Sequence, residues 1–354
     1  MQIPLYDVSV NKYKNEIMTA IERVIDSGQY IFGNEVSTFE QMWAMYCGYR
    51  YAVGVNSGTS AIEALIRSHK LKGKIIVPAN TYSATAMAVC NAGCVPVFVD
   101  CNERYSMDLD KVEEIVDRTD DISAIIPVHL YGISADITKA DKIAKSHDLV
   151  VIEDAAQAHG LKTEGKNDKA YSFYPTKNLG GFGDGGAVIT DSKDRTLWIE
   201  KWRNQGRITG NTVNHEIVGT NSRLDAIQAA VLSVKLNYLG AWNKQRFDIA
   251  GLYRDMLSDS NVTSPPEGVY HFYVLRTENR DRVLKELKEK GIGCSIHYPV
   301  PLHLQKAFEH IGYKKGDFPT AEKLSTEIIS LPMHPFLGED EVITVCSIVN
   351  KALK

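Results

Sequence analysis

Between residues 74 and 190 short apolar runs recur: "KIIVPA", "VPVFVD", "AIIPVHL", "LVVIEDA", "AYSFYP" and "GAVIT". They are rich in valine and isoleucine and are separated mostly by helical patterns. Runs of this length read as strands buried on both faces, the signature of the central sheet of an α/β domain. The segments before and after "ADKIAKSHDL" fit a strand–helix–strand unit, whose two strands are expected to lie parallel. Upstream, "NEIMTAIERVIDSG" places Ile17, Met18, Ile21, Val24 and Ile25 on one helical face, with Gly28 able to end the helix. "TSAIEALIRSHK" reads as a second helix. From about Asn221 the pattern turns helical, in "SRLDAIQAAVLSVKLNYLGAWNKQRFDIAGLYRDML". After the turn signal "SPPEG" come a strand in "HFYVLRT", an amphipathic helix in "RDRVLKELKEKG" with Val283, Leu284 and Leu287 inward, and a strand in "GCSIHYPVP". The expectation is an α/β chain divided near Leu239. Residues 1–239 form a large domain with an N-terminal helical segment, and residues 240–354 a smaller α/β domain.

A chain of 354 residues, 44% hydrophobic and 24% charged, has the material for a substantial core. The net charge of -4 gives no reason to expect nucleic acid as a partner. No apolar run is long enough to span a bilayer, and "MQIPLYDVSVNKYKNE" lacks the apolar core of a signal peptide. Cys47, Cys90, Cys94, Cys101, Cys294 and Cys346 form no C-x-x-C pair, and read as reduced thiols of a cytoplasmic protein. Cys90, Cys94 and Cys101 lack the usual zinc-ligand spacing, so no metal is expected.

The stretch "SFYPTKNLGGFGDGG" carries two conflicting signals. Gly181, Gly183 and Gly186 fit G-x-G-x-x-G, but a dinucleotide turn must follow a strand and open a helix, and here the glycines precede the strand-like "AVIT". A phosphate loop ending in lysine also fails, because Lys177 comes before the glycines. A lone loop lysine is ordinarily a solvated surface residue. Three other features change that reading. "VVIEDAAQAHG" ends an apolar strand at Glu153-Asp154, where α/β folds bind ligands, although an aspartate there can equally cap a helix. "VNSGTSAIEAL" sets Ser57, Gly58, Thr59 and Ser60 at a helix start, as an anion site or a simple cap. "PANTYSATA" puts Tyr82 after a strand, free to stack on a flat ring or to be an ordinary half-buried tyrosine. Together they match the needs of pyridoxal phosphate: a lysine for the imine, a carboxylate for the ring nitrogen, a phosphate cradle and a stacking face.

In the order "NSGTSA", "PANTYSATA", "PVFVD", "IIPVHLYG", "VIEDAAQAHG", "SFYPTKNLGGFGDGGAV", "GTNSRLDAIQAAVL" and "HYPVPLHLQ", the chain resembles the DegT/DnrJ/EryC1/StrS family of sugar aminotransferases. These are pyridoxal-phosphate enzymes of fold type I, with a mainly parallel central sheet flanked by helices and a smaller C-terminal α/β domain. The resemblance implies that Lys177 binds the cofactor as an imine and Asp154 bonds the pyridine nitrogen. It places Gln157 near the ring hydroxyl, Tyr82 on the ring, and Gly58, Thr59 and Ser172 on the phosphate. Asn221 would reach the phosphate of a neighbouring protomer, which implies a homodimer with shared sites. The implied reaction takes an amino group from glutamate, releasing 2-oxoglutarate and leaving the cofactor as pyridoxamine phosphate. It then passes that group to a keto sugar on a nucleotide carrier. "SGQYIFGNEV", "HEIVGTNSRLD", "HYPVPLHLQKA" and "LPMHPFL" resemble the branch that aminates C3. "NSGTSAI" departs from that branch and leaves C4 open. Arg223 is a candidate contact to the nucleotide diphosphate, and His297, Tyr298, Gln29 and Tyr30 are candidates for the sugar pocket. Two other readings stand beside this one: a non-catalytic pyridoxal-phosphate-binding regulator and a nucleotide-dependent oxidoreductase.

Overall fold

Among the described residues, seven strands build one sheet: β1 (Tyr51–Val55), β2 (Lys74–Pro78), β3 (Val95–Val99), β4 (Ile122–Ile125), β5 (Val150–Asp154), β6 (Asp168–Ser172) and β7 (Gly186–Thr190). The computed structural model describes residues 2–9, 11–208, 213–257, 262–263 and 267–354. The sheet order is β1-β7-β6-β5-β4-β2-β3. β3, β2, β4, β5 and β6 pair in parallel, and β7 lies antiparallel to both β6 and β1. β7 is buried at every position, which explains its unbroken apolar sequence.

Helices cover both faces. They are α1 (Lys14–Ser27), α2 (Asn34–Cys47), α3 (Gly58–Ser68), α4 (Ser83–Asn91), α5 (Leu109–Arg118), α6 (Ile137–Ser146), α7 (Lys193–Arg203) and α8 (Ala226–Leu236). The expected parallel unit is β4–α6–β5. The two-residue period of a strand sorts side chains between the layers. In β6, Ala170 joins the cluster containing Ile62 and Leu65 of α3. Its neighbour Tyr171 joins the cluster containing Phe39 and Trp43 of α2 and Leu232 of α8.

Beyond these come α9 (Leu239–Met256), β8 (Val262–Thr263), β9 (Tyr273–Arg276), α10 (Arg280–Glu289), α11 (Pro319–Glu327), β10 (Ile328–Leu331) and α12 (Glu339–Leu353). β10, β9 and β8 form an antiparallel sheet. We propose the division of the chain at Leu239, where α9 begins, because Tyr253, Tyr273, Leu287 and Val345 gather into a second core, to which the N-terminal segment adds Ile3. The two units are firmly joined. Phe98 of β3 packs its ring 5.5 Å from that of Phe308. Asp100, just past β3, accepts the backbone N–H groups of Thr320 and Ala321 at 3.0 and 2.8 Å, in the first turn of α11.

Some expectations need correction. "GCSIHYPVP" is no strand: it makes only the bridge Ser295–Ser330, because Pro299 and Pro301 supply no backbone donor. β4 stops at Ile125, and β6 ends at Ser172, before the "FYP" of its run. In α1 the buried stripe is Ile17, Ala20 and Val24, whereas Met18 and Ile25 are more than half exposed. Gly28 does end that helix in the left-handed conformation, at φ 65°. In α10, Val283 and Leu287 are buried and Leu284 only partly. Residues 264–266 of the "SPPEG" turn lie outside the described residues. The cysteines are free thiols, with Cys94, Cys101 and Cys346 buried and Cys47, Cys90 and Cys294 half-buried. Among the described residues no helix is long and apolar enough to cross a membrane.

Candidate active site

Parallel strands that run the same way deliver their C-terminal ends to one edge of the sheet, and the chain uses that edge. β1 leads into Ser57 and α3, β2 into Thr81 and Tyr82, β5 ends in Asp154 and β6 in Ser172. These ends border a cavity of about 430 Å³ lined by Gly58, Thr59, Tyr82, Asp154, Gln157, Ser172 and Lys177, and closed by His297 and Tyr298 from the C-terminal unit.

Strand alternation separates the two carboxylates that close β5. Asp154 faces the cavity. Glu153 faces the other way, where it accepts from His129 Nε2 at 2.8 Å and from Lys169. No helix starts at Asp154, so it is not the helix cap that its sequence allowed. Its Oδ2 accepts from the Thr85 hydroxyl at 2.8 Å and its Oδ1 from the backbone N–H of Ala156 at 3.1 Å. Burial pushes this carboxyl up from the usual range, opposed by Thr85, by Ala156 and by the charges of Lys177 and His129.

Lys177 lies on the loop from β6 to β7, and that loop is tightly held. Lys177 N–H donates to Tyr174 O at 2.9 Å, Asn178 Nδ2 donates to Val269 O at 2.8 Å, and Gly181 N–H donates to Phe173 O at 2.8 Å. Burial lowers the Lys177 amine to about 8, with Asp154 acting in the opposite direction. Burial, and then the Lys177 charge, lower His159 to about 3 and His297 to about 4. His271 is lowered well below the ordinary value for the same two reasons. The three imidazoles that feel the charge of the amine are thus neutral at neutral pH. His159 donates through Nε2 to Ser172 O at 2.7 Å.

The first turn of α3 presents unpaired N–H groups to the cavity. Ser57 caps the helix, accepting from Ser60 N at 3.1 Å, and so leaves the Gly58 and Thr59 amides free for an anion. Gly58 is required because a Cβ there would sit 2.8 Å from Ser172 Cβ. Gly186 is required because its Cβ would lie 2.4 Å from the Ser57 carbonyl carbon. The glycines after Lys177 therefore let β7 slide beneath the α3 turn. They run into a strand, so they form no dinucleotide turn and the oxidoreductase reading loses its only support.

Four predicted residues stand elsewhere. Gln29, Tyr30, Asn221 and Arg223 do not line the cavity. They share a separate surface where the 29–33 segment meets the start of α8. Ile31 bridges Asp225, Asn221 bridges Asn204, and Ala226 N–H donates to Tyr30 O at 3.0 Å. Arg223 donates to Asn204 Oδ1 at 3.4 Å, and its guanidinium lies 5.9 Å from the Phe32 ring. Tyr30 and Ile31 are about half exposed there.

The family model described as the DegT/DnrJ/EryC1/StrS aminotransferase family matches residues 11–350. The chain belongs to that family. It is 40% identical over 366 residues to the dTDP-3-amino-3,6-dideoxy-alpha-D-galactopyranose transaminase of Aneurinibacillus thermoaerophilus, covering 99% of each chain. It is 40% identical over 362 residues to a protein of Geobacillus stearothermophilus named a pleiotropic regulatory protein, covering 96% of each. Among solved structures, Streptomyces venezuelae DesV, in complex with a ketimine intermediate, superposes with a TM-score of 0.95 at 38% identity, covering 100% of this chain and 99% of that one.

This aminotransferase is thus a pyridoxal-phosphate enzyme of the sugar-aminating type. Its residues fit that cofactor: a buried amine of lowered proton affinity, a carboxylate held by two donors, and free helix N–H groups beside glycines that admit no side chain. The sequence reading missed other residues that line the cavity, among them Tyr6, Thr81, Thr85, Asp184, His271 and Phe272. Thr85 had a usable signal, since Thr81 and Thr85 are four apart at the start of a helix that carries Tyr82. Tyr6 and Phe272 had none, for their place depends on the packing of the C-terminal unit.

Proposed function

We propose that this aminotransferase moves the amino group of L-glutamate to a keto group of a nucleotide-linked deoxy sugar, with C3 as the carbon aminated, for the synthesis of amino sugars of surface glycans. The observation that carries the reading is the placing of Lys177 and Asp154 in one cavity with a helix N-terminus on its wall. The C3 preference is supported by the relatives, of which the Aneurinibacillus enzyme is named for a 3-amino sugar.

Bound pyridoxal phosphate supplies a ring that takes up the electrons left when a C–H bond is broken. The chain's own residues do the rest. Lys177 would hold the cofactor covalently; once the incoming amino donor has displaced it, its freed amine would carry the proton that must move, and burial, which lowers its pKa to about 8, suits it to release as well as to take that proton near neutral pH. Asp154 keeps the ring nitrogen protonated. Gln157 would meet the ring hydroxyl, Tyr82 the face of the ring, and Gly58, Thr59 and Ser172 would hold the phosphate. His297 and Tyr298 border the sugar. Gln29, Tyr30, Asn221 and Arg223, being displaced from their own cavity, serve that of a second protomer in a cytoplasmic homodimer. Asn221 of the partner subunit reaches the phosphate and Arg223 of the partner subunit the nucleotide diphosphate.

The test is incubation with L-glutamate and a panel of dTDP-, UDP- and GDP-linked 3-keto and 4-keto sugars, with mass and NMR of the product. A C3 amine is expected. A C4 amine would replace the C3 assignment by C4 amination of a 4-keto-6-deoxy sugar. Turnover by Lys177→Ala would overturn the whole reading. The name of the Geobacillus relative favours a second reading, a pyridoxal-phosphate-binding regulator. A visible absorbance band that shifts on adding glutamate would decide against it.

A further inference from the structure

Thr85 is buried in the first turn of α4, and its hydroxyl donates to Asp154 Oδ2 at 2.8 Å. The second oxygen of Asp154 is held by Ala156 N–H at 3.1 Å. Behind Thr85 lies Thr81, also buried, with the two hydroxyl oxygens 3.3 Å apart. A hydroxyl has one proton to donate. Thr85 commits its proton to the carboxylate, so in the second contact Thr81 must be the donor. The chain therefore has a direction, from Thr81 to Thr85 to Asp154, and that direction suits a carboxylate that carries no proton. Among the influences that oppose the effect of burial on Asp154, the Thr85 hydrogen bond is the largest.

We propose that Thr85, supported by Thr81, is a positioning residue: it fixes the plane of the Asp154 carboxylate and leaves the remaining lone pairs directed at the cofactor's ring nitrogen. The proposal rests on the role given to Asp154 above. In this role Thr85 acts through Asp154, and Thr81 through Thr85.

The experiment uses the enzyme loaded with pyridoxal phosphate and compares the parent with Thr85→Val, Thr85→Ser and Thr81→Val. The visible absorbance of the Lys177–cofactor linkage is titrated with pH. A protonated ring nitrogen is a positive charge close to that linkage and makes its proton easier to lose. In Thr85→Val the ring charge is held less well, so the absorbance midpoint should rise by about one pH unit, the worth of one hydrogen bond to a charged group. The turnover number should fall about tenfold while KM for the nucleotide sugar stays unchanged. Thr85→Ser should restore both. Thr81→Val should move the midpoint in the same direction by less, and supplies the test if Thr85→Val does not fold. A midpoint unchanged in both valine variants overturns the proposal. If Asp154→Asn also leaves the midpoint unchanged, the role of Asp154 fails, and the proposal with it.

Discussion

Gln157 donates through Nε2 to the Tyr298 hydroxyl at 3.0 Å, and so ties the loop after β5 to the C-terminal unit across the cavity. Its Oε1 accepts from Tyr131 N at 2.6 Å, which fixes which end of the amide faces Tyr298. Tyr298→Phe should weaken retention of pyridoxal phosphate by roughly tenfold, the worth of one buried hydrogen bond. Gln157→Leu should weaken it further, since it also leaves the Tyr131 N–H without its acceptor. The double variant should be no worse than Gln157→Leu, so the coupling energy should match the Tyr298→Phe loss, about 1.4 kcal/mol for tenfold. Cofactor dissociation constants for the four proteins check this, and strictly additive losses would show that the bond does not matter to the site.

The lowered proton affinity of Lys177 sets a pH dependence for cofactor loading. An amine must be neutral to attack the cofactor's aldehyde. The rate at which cofactor-free protein takes up pyridoxal phosphate should rise with pH through a midpoint near 8, not above 10. Asp154→Asn removes the charge that favours the protonated amine, so its midpoint should lie lower still. Stopped-flow absorbance across pH 6 to 10, as a roughly four-unit window around that value, distinguishes these outcomes.

Asp100 should be a stability residue with no part in the chemistry. It accepts from Thr320 N, Ala321 N, Cys101 N at 2.9 Å and Lys111 Nζ at 3.1 Å. Despite burial, these donors hold its carboxyl below the ordinary value of 3.8. Stability from a lowered acid is complete above the unfolded value and is lost as pH falls through the folded one. Asp100→Asn should therefore cost roughly 1.5–3 kcal/mol at pH 7, and the difference should vanish once both proteins are well below that range. Urea denaturation at a series of pH values measures it. An undiminished gap at low pH would mean that the charge is not what matters.

The shared-site reading predicts complementation between two damaged chains. Lys177→Ala removes the amine, and Asn221→Asp sets a like charge against the phosphate of the neighbouring protomer. Each variant alone should be nearly inactive. Mixed, unfolded and refolded together, they should recover about a quarter of the parent activity, because half of randomly paired dimers carry one undamaged site of two. No recovery would place Asn221 in the site of its own chain.

What the chain discloses before folding follows from how strands end. Lys177, Asp154, Ser172 and Tyr82 stand just inside or after apolar runs, and parallel pairing brings all such ends to one edge. Thr85 is harder to see, because its value lies in a contact with a residue 69 positions away. His271 and Phe272 enter from a part of the chain whose strand pattern says nothing about the cavity it will face. Met18 and Ile25 mislead for a different reason. Their helical spacing marks an apolar face, but spacing cannot say whether that face meets the chain's own core or is left at the surface. The "GCSIHYPVP" segment misleads through composition, since its β-forming residues run into Pro299 and Pro301, which cannot donate to a ladder.

The joint between the two units has a consequence for how substrates enter. Phe98 packs on Phe308, Asp100 fastens the start of α11, and Leu302 N–H donates to Ala79 O at 2.8 Å, so the C-terminal unit is riveted to the sheet beside the cavity. A unit held at that point is expected to keep its place when a bulky sugar enters, and small-angle scattering should then record one molecular envelope with and without substrate.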